Sequence, residues 1–147
     1  MSIAILNLIA TLCAGAFFGA ALYISLVQHP AALAAGGAVA GRFFPPMYRR
    51  AAPMQASLAV IGSVAALVVW LVGAPWPWLV GGLLLFAVVP LTLVWIKPTN
   101  DSLMQRGRDP ESAETFELLR RWGHLHAVRT LLSGLALLLF LVELAIG

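Results

Sequence analysis

Charged side chains are scarce in this sequence, where Lys, Arg, Asp and Glu together make up 10% of 147 residues. Hydrophobic residues account for 61%, and the mean hydropathy is +0.94. Both values lie outside the range of soluble globular domains and indicate an integral, multi-pass membrane protein. A chain of this length has room for one membrane domain, residues 1–147, without a separate soluble domain. Membrane lipids are therefore expected partners, and no nucleic-acid partner is expected.

Cysteine is almost absent, because Cys13 is the only one. A single cysteine excludes an intramolecular disulfide framework and a cysteine metal cluster. Cys13 lies inside an apolar run, where it is interpreted as a small packing residue.

The sequence contains several long apolar runs. The run from Ile3 to Val27 has no Lys or Arg before it, exceeds a typical signal-peptide core and is followed by further spans, so it is predicted to be a retained membrane helix. The predicted fold is an all-α, four-helix transmembrane bundle with cytoplasmic loops or short interfacial helices. Its spans lie at about residues 4–27, 54–72, 79–96 and 124–146.

Prolines set the predicted ends of these spans. Pro30 is expected to end the first span and Pro98 the third, and the Pro45-Pro46 pair is expected to prevent a continuous helix between residues 31 and 53. Asp109-Pro110-Glu111 predicts a helix start, with Asp109 as the N-cap.

Smaller features give further expectations for the first span and for the uncharged turn after the second. Gly15-x-x-x-Gly19 would let a helix approach closely, either within the bundle or in a homo-oligomer. The polar residues Asn7, Thr11 and Tyr23 are predicted to face inward. Trp70, Trp76 and Trp78 are typical of an interfacial belt.

Basic residues lie on one side of the predicted membrane. Segments 28–53 and 97–123 hold eight of the nine Lys and Arg side chains, whereas the side with the chain termini has none. By the positive-inside rule, both segments are cytoplasmic and both termini are non-cytoplasmic.

The start of the last span holds the candidate chemical centre. Trp122, His126 and Arg129 fall on one helix face at spacing i, i+4, i+7, whereas His124 points away from it. An arginine within a span costs about 2.5 kcal/mol or more unless it finds a partner or reaches the headgroups. We therefore expect Arg129 to bind an anion or an oxyanion at the cytoplasmic membrane edge; the alternative is an arginine that reaches the headgroups or pairs with a carboxylate such as Glu117.

Four motifs in order carry a resemblance that covers nearly the whole chain. They are AGAFFGAALYISLVQHP at 14–30, MYRRAAPMQ at 47–55, KPTND-x-L at 97–103, and W-x3-H-x2-R at 122–129. The chain thereby resembles the anthrone-oxygenase-like family of small membrane proteins, many of which have no known function. The resemblance implies a four-helix membrane bundle and, for characterised members, oxidation of a polycyclic anthrone to a quinone by molecular oxygen. The positions carried over are His29, Pro30, Tyr48, Gln55, Pro98, Asn100, Trp122, His126 and Arg129.

A mechanism without a cofactor can be assigned to these residues. An anthrone has an acidic benzylic C–H, and its enolate can pass an electron to oxygen. His126 is the candidate base, and Arg129 and Asn100 are the candidate partners of the oxyanion. Trp122 and Tyr48 could stack on a hydrophobic aromatic substrate, with His29 and Gln55 completing the binding residues.

Two alternatives remain open at this stage. No cofactor is predicted, but His29 and His126 could together hold copper, iron or haem in a metal-dependent oxidoreductase. His124 and His126 cannot chelate one ion, because their side chains point in different directions. The other alternative is a non-enzymatic module that binds lipids or forms an oligomeric structure.

Overall fold

A computed structural model describes residues 2–146, and over this range the chain is helical without a β-strand. The helical segments are α1 (Ile3–Tyr23), a first π segment (Ile24–Gln28), α2 (His29–Ala34), α3 (Gly37–Leu71), α4 (Trp76–Leu91), a second π segment (Thr92–Ile96), α5 (Lys97–Leu103) and α6 (Ala113–Ile146). They join into four membrane helices that are long and apolar enough to span a bilayer: Ile3–Ala34, Gly37–Leu71, Trp76–Leu103 and Ala113–Ile146. The predicted all-α four-helix bundle is confirmed.

The four membrane helices are arranged in a ring. Helix α1 packs against α3 and α6, and α4 packs against the same two helices. The ring order follows the chain order because the first two connections are short. The bundle is filled by large apolar side chains such as Phe17, Leu85 and Phe140, whereas many other apolar side chains remain exposed on its outer surface. That surface suits contact with lipid.

The two longest helices exceed the thickness of a bilayer. The 35 residues of α3 measure about 52 Å at about 1.5 Å per residue, compared with a hydrocarbon core of about 30 Å. The end of the bundle that holds the chain termini and the turn after α3 has no Lys or Arg, and Trp70 and Trp76 at this end are at least 36% exposed. The excess length therefore lies at the arginine-bearing end of the bundle, which we call the basic end.

The prediction that prolines end the helices is wrong. The first membrane helix passes Pro30 and the third passes Pro98, and in both cases a π segment stands directly before the X-Pro pair. The N–H of His29 donates to Ile24 O, and that of Lys97 donates to Thr92 O, each five residues back. A π turn is wider than an α turn, which gives the following proline ring room beside the preceding backbone.

Helix α3 also runs without a break through Pro45, Pro46 and Pro53, where an interrupted segment was predicted. An internal proline costs about 3 kcal/mol or more. Packing offsets this cost, because Phe44 is only 2% exposed and contacts the rings of Tyr48 and Trp122.

The last membrane helix starts four residues after the predicted N-cap, Asp109, and runs without a break through the predicted fourth span. Helix α6 begins at Ala113, and the hydroxyl of Ser112 accepts the Thr115 N–H at 3.2 Å in the manner of an N-cap. Asp109 instead accepts the N–H of Glu111 at 2.9 Å within a turn before the helix. This local hydrogen bond competes with helix capping.

Three smaller expectations about side-chain placement also fail. Tyr23 is 57% exposed rather than turned inward, whereas Thr11 is buried as predicted. Trp78 is buried and stacks on Phe140 with ring centroids 5.0 Å apart, so it is a core residue rather than part of an interfacial belt. A Cβ on Gly19 would meet nothing within 4 Å, so Gly19 does not bring two helices of this bundle together; close approach in a homo-oligomer stays a prediction.

Candidate functional site

The predicted face of α6 lies inside the bundle. Trp122, His126 and Arg129 are buried, whereas His124 is exposed. This is the placement that their helical spacing predicts. The buried face lies toward the basic end, where the first and third membrane helices carry their π segments.

Trp122 is the central ring of this region. Its ring centroid lies 4.7 Å from that of His126 and 5.1 Å from that of His29. Phe44 meets the indole edge-on at 5.1 Å. Four side chains from the first, second and fourth membrane helices thus form one aromatic cluster.

Asn100 connects this cluster to Tyr48. Its Oδ1 accepts the indole N–H of Trp122 at 2.8 Å, and its Nδ2 donates to the Tyr48 hydroxyl at 2.9 Å. Asn100 is only 1% exposed. Both ends of its carboxamide are therefore occupied, and the Tyr48 hydroxyl keeps its own proton available as a donor.

Arg129 pairs with Gln55 on the second membrane helix. Its Nη2 donates to Gln55 Oε1 at 2.9 Å in the bundle interior, and its guanidinium carbon lies 5.4 Å from the Phe17 ring centroid. Arg129 Nε and Gln55 Nε2 are both buried without a hydrogen-bond partner among the described residues. An unpartnered buried donor is costly, so the pair presents two N–H groups suited to an acceptor.

His126 is held by a residue that the sequence did not single out. Its Nδ1 lies 3.1 Å from Ser25 Oγ, which in turn lies 2.9 Å from Thr130 Oγ1. Thr130 Oγ1 also donates to the carbonyl of Ala21 at 3.3 Å. Ser25 belongs to the first π segment, and π turns are frequent at functional sites. Thr130 follows His126 by one turn and could have been found by that spacing, whereas nothing in the sequence announces the π turn.

His29 lies beside α6, and a backbone carbonyl of that helix orients its ring. Its Nε2 is 3.0 Å from the carbonyl oxygen of Leu119. A Cβ on Gly123 would lie 2.9 Å from the ring atoms Cδ2 and Nε2 of His29. Gly123 therefore makes the space into which the His29 ring fits.

A cavity of about 180 Å³ lies between α3 and the third membrane helix. Its walls are mostly small or apolar, and their polar groups come from Tyr48, Thr92 and Arg129. The lining residues are Phe17, Tyr48, Ala52, Ala56, Ala59, Val88, Val89, Thr92, Leu93 and Arg129. Of the predicted site residues, Tyr48 and Arg129 line the cavity. The others stand behind the lining rather than in it: His29, Gln55, Asn100, Trp122 and His126.

The metal alternative rests on His29 and His126 alone. Between residues 2 and 146, no three His, Cys, Asp or Glu side chains are grouped so that they could hold a metal ion. Both imidazoles pack on Trp122, and one nitrogen of each already has a hydrogen-bond partner.

Comparison with known proteins identifies the family. A family model described as anthrone oxygenase matches residues 44–139, a range that contains Tyr48, Gln55, Asn100, Trp122, His126 and Arg129. No curated protein and no solved structure matches the chain. Because the family model matches more than half of the sequence, this integral membrane protein belongs to the anthrone oxygenase family.

Proposed function

We propose that the protein is a membrane-embedded oxygenase that oxidises a hydrophobic aromatic substrate, anthrone- or quinol-like, with molecular oxygen. Membership of the anthrone oxygenase family supports the reaction type. The observation that carries the proposal is a buried arginine in the wall of an apolar cavity: Arg129 lines the cavity, and its Nε has no hydrogen-bond partner among the described residues. An apolar pocket with a few convergent polar groups is the usual form of a small-molecule site.

The cavity accepts a flat substrate with one oxygen at the Arg129 end. Arg129 and Tyr48 supply the polar contacts, and the alanines of α3 and the valines of α4 supply apolar walls. Its volume of about 180 Å³ is below the 300–1,000 Å³ typical of such sites. A three-ring substrate therefore extends toward the bilayer past Ala56 and Leu93, which are both exposed.

Arg129 and its partners stabilise the negative charge that develops on the substrate oxygen. Removing a benzylic proton from an anthrone delocalises the charge onto that oxygen as a phenolate. A positive charge and fixed N–H donors in a dry cavity stabilise such an oxyanion far more than they would in water. Asn100 contributes indirectly, because its hydrogen bond to Tyr48 aims the tyrosine hydroxyl.

His126 is the proposed base. It lies one helical turn from Arg129, behind the cavity lining, and takes the benzylic proton through one water molecule, a geometry that general bases use. The resulting anion passes an electron to oxygen, and recombination forms a C–O bond to a peroxide. Loss of water then gives the quinone: one oxygen atom stays as the new carbonyl, and the other leaves with two hydrogens from the benzylic carbon.

The proposal places this chemistry at the cytoplasmic face. The basic end carries eight of the nine Lys and Arg residues, which favours the cytoplasmic side. Single cysteines introduced at Arg106 and at Ser2 in a Cys13→Ala background test this: an impermeant maleimide added outside intact cells should label only the cysteine at position 2. Labelling at position 106 alone would reverse the orientation.

Oxygen uptake by protein in nanodiscs tests the activity. Anthrone is the probe, and quinone absorbance is recorded beside oxygen consumption, with empty nanodiscs to subtract spontaneous oxidation. We expect one oxygen molecule per quinone. Arg129→Met should lower the catalysed rate by about 10²–10³-fold, the usual effect of losing an oxyanion partner, and Arg129→Lys should recover only part of it because it lacks the planar fork.

Arg121→Met is the matched control, because Arg121 is exposed on the same helix and outside the cavity. It should keep the wild-type rate. A wild-type rate in a folded Arg129→Met protein would remove Arg129 from the mechanism, and no oxygen uptake above empty nanodiscs would overturn the proposed substrate class.

A further inference from the structure

A second cavity at the basic end has a different chemical character. Its volume is about 210 Å³, and it lies between α3 and the connection from α5 to α6. Three arginines and several apolar residues form its walls. The lining residues are Gly41, Pro45, Arg49, Leu103, Met104, Gln105, Arg106, Arg108, Pro110 and Thr115.

One of the three arginines is a fixed part of the wall. Arg108 donates through Nε to the carbonyl of Ser102 at 2.6 Å and pairs through Nη1 with Glu114 at 3.2 Å. Its side chain is 14% exposed. Arg108 therefore holds the connection in place, and Glu114 balances its charge.

The other two arginines carry uncompensated charge. Arg49 and Arg106 are exposed and form no ion pair or side-chain hydrogen bond within residues 2–146. The backbone brings them to one cavity: a Cβ on Gly41 would lie 3.0 Å from the carbonyl oxygen of Pro110, so the connection lies against α3. Two free guanidinium groups at one concave site match the oxygens of a phosphate group.

The depth of the cavity suits a lipid headgroup. Counting about 20 residues from Leu71, the hydrocarbon core ends near residue 51 of α3, which leaves Arg49 just outside it. Pro45, Leu103 and Pro110 in the same wall are apolar. Anionic headgroups attract arginines at this depth.

We propose that this cavity, through Arg49 and Arg106, binds a phosphate group, supplied by the headgroup of an anionic phospholipid. The site is separate from the oxygenase cavity and does not depend on the proposed activity. It would give the protein a preference for anionic membranes that resides in two particular arginines rather than in the total charge of the basic end.

Thermal unfolding in nanodiscs tests the proposal. Nanodiscs of phosphatidylcholine alone are compared with nanodiscs that also contain phosphatidylglycerol. We expect phosphatidylglycerol to raise the Tm of the wild-type protein by about 2–4 °C, because a ligand that binds the folded state stabilises it. The double variant Arg49→Gln, Arg106→Gln should lose most of this rise.

The matched control removes the same charge elsewhere. Arg50 and Arg121 are also exposed without an ion pair among the described residues, and neither lines the cavity. Arg50→Gln, Arg121→Gln should keep most of the rise. If both double variants lose it equally, diffuse attraction explains the preference and the site is refuted.

A second arm separates the two sources of phosphate. Protein in neutral detergent is unfolded in inorganic phosphate and in chloride at equal ionic strength. A lipid site predicts little change in Tm in this arm. If phosphate alone gives the rise, and only with Arg49 and Arg106 present, the ligand is a free anion and the lipid assignment is overturned. No rise in either arm refutes both.

Discussion

The indole N–H of Trp122 donates to Asn100 Oδ1 at 2.8 Å, a buried hydrogen bond between the fourth and third membrane helices. The same carboxamide donates to the Tyr48 hydroxyl on the second membrane helix. Asn100 is thus the junction through which Trp122, which does not line the cavity, is linked to Tyr48, which does. The position of the Tyr48 hydroxyl at the polar end of the cavity therefore depends on three membrane helices rather than one.

Tyr48→Phe and Asn100→Leu are expected to act on the same step. Each should lower kcat/KM about tenfold, the effect of losing about 1.4 kcal/mol of transition-state stabilisation, because Tyr48→Phe removes the hydroxyl and Asn100→Leu removes the amide that aims it. The double variant should be no worse than the worse single variant. Steady-state oxygen uptake gives the three values. Tenfold losses that multiply in the double variant would show that Asn100 acts independently of Tyr48.

Ser25→Ala is expected to impair His126 without removing it. The Ser25 hydroxyl lies 3.1 Å from Nδ1, where it sets which nitrogen carries the proton and which one is free to act as base. We expect kcat to fall roughly tenfold with little change in KM, and Ser25→Thr to restore most of it because the hydroxyl remains. The His126→Ala variant should lose about 10²–10⁴-fold, the usual contribution of a general base.

Ser57→Ala is the control for Ser25, because Ser57 is exposed and donates to the carbonyl of Met54. Its kinetics should equal those of the wild type. The positioning role would be refuted by a Ser25→Thr variant as slow as Ser25→Ala, and a His126→Ala protein with wild-type kcat would end the assignment of the base.

The fold was largely predictable because it follows from composition and helical spacing. Four apolar runs predict four membrane helices, and the i, i+4, i+7 spacing predicts that Trp122 and Arg129 share a buried face while His124 is exposed. The helix ends were not predictable from proline. The local rule gives the cost of a proline inside a helix. It does not show that a π turn before Pro30 makes room for the ring, or that the packing of Phe44 in α3 offsets the cost of Pro45 and Pro46.

The candidate site was predictable as a set of residue types but not as a geometry. Gln55 and Arg129 were both candidate residues from the sequence, yet their hydrogen bond joins residues 74 positions apart. It depends on how two helices are rotated against each other. The same rotation places Arg129 in the cavity lining and His126 behind it. Ser25 was missed because a serine in an apolar helix has no distinguishing spacing of its own.

Gly123→Ala is expected to displace His29. The added Cβ would lie 2.9 Å from two atoms of the imidazole, so the ring must move and its hydrogen bond to Leu119 O is strained or lost. We expect a loss of about 1–3 kcal/mol in stability, typical of overpacking, measured as a fall in Tm in detergent. Adding His29→Ala should recover part of the loss, since the clashing ring is gone.

Gly19→Ala is the control for Gly123, because a Cβ there meets nothing within 4 Å. It should be neutral or slightly stabilising, since alanine favours a helix over glycine by roughly 1 kcal/mol. Equal losses from both alanines would mean that Gly123 matters for the helix backbone rather than for His29.

Ala56→Phe is expected to close the cavity from the membrane side. Ala56 is exposed and lines the cavity, and its position on α3 lies within the hydrocarbon, about five residues beyond the estimated boundary near residue 51. A phenyl ring there occupies the opening through which we expect a lipid-dissolved substrate to extend. It adds no polar group, and because Ala56 is exposed it does not overpack the core. KM for anthrone should rise about tenfold or more, with the Tm nearly unchanged.

Ala16→Phe places the same ring on the exposed surface of α1 and should leave KM as in the wild type. Equal KM values for Ala56→Phe and the wild type would mean that the substrate binds elsewhere in the bundle, whereas a rise with both variants would trace the effect to the lipid-facing surface in general.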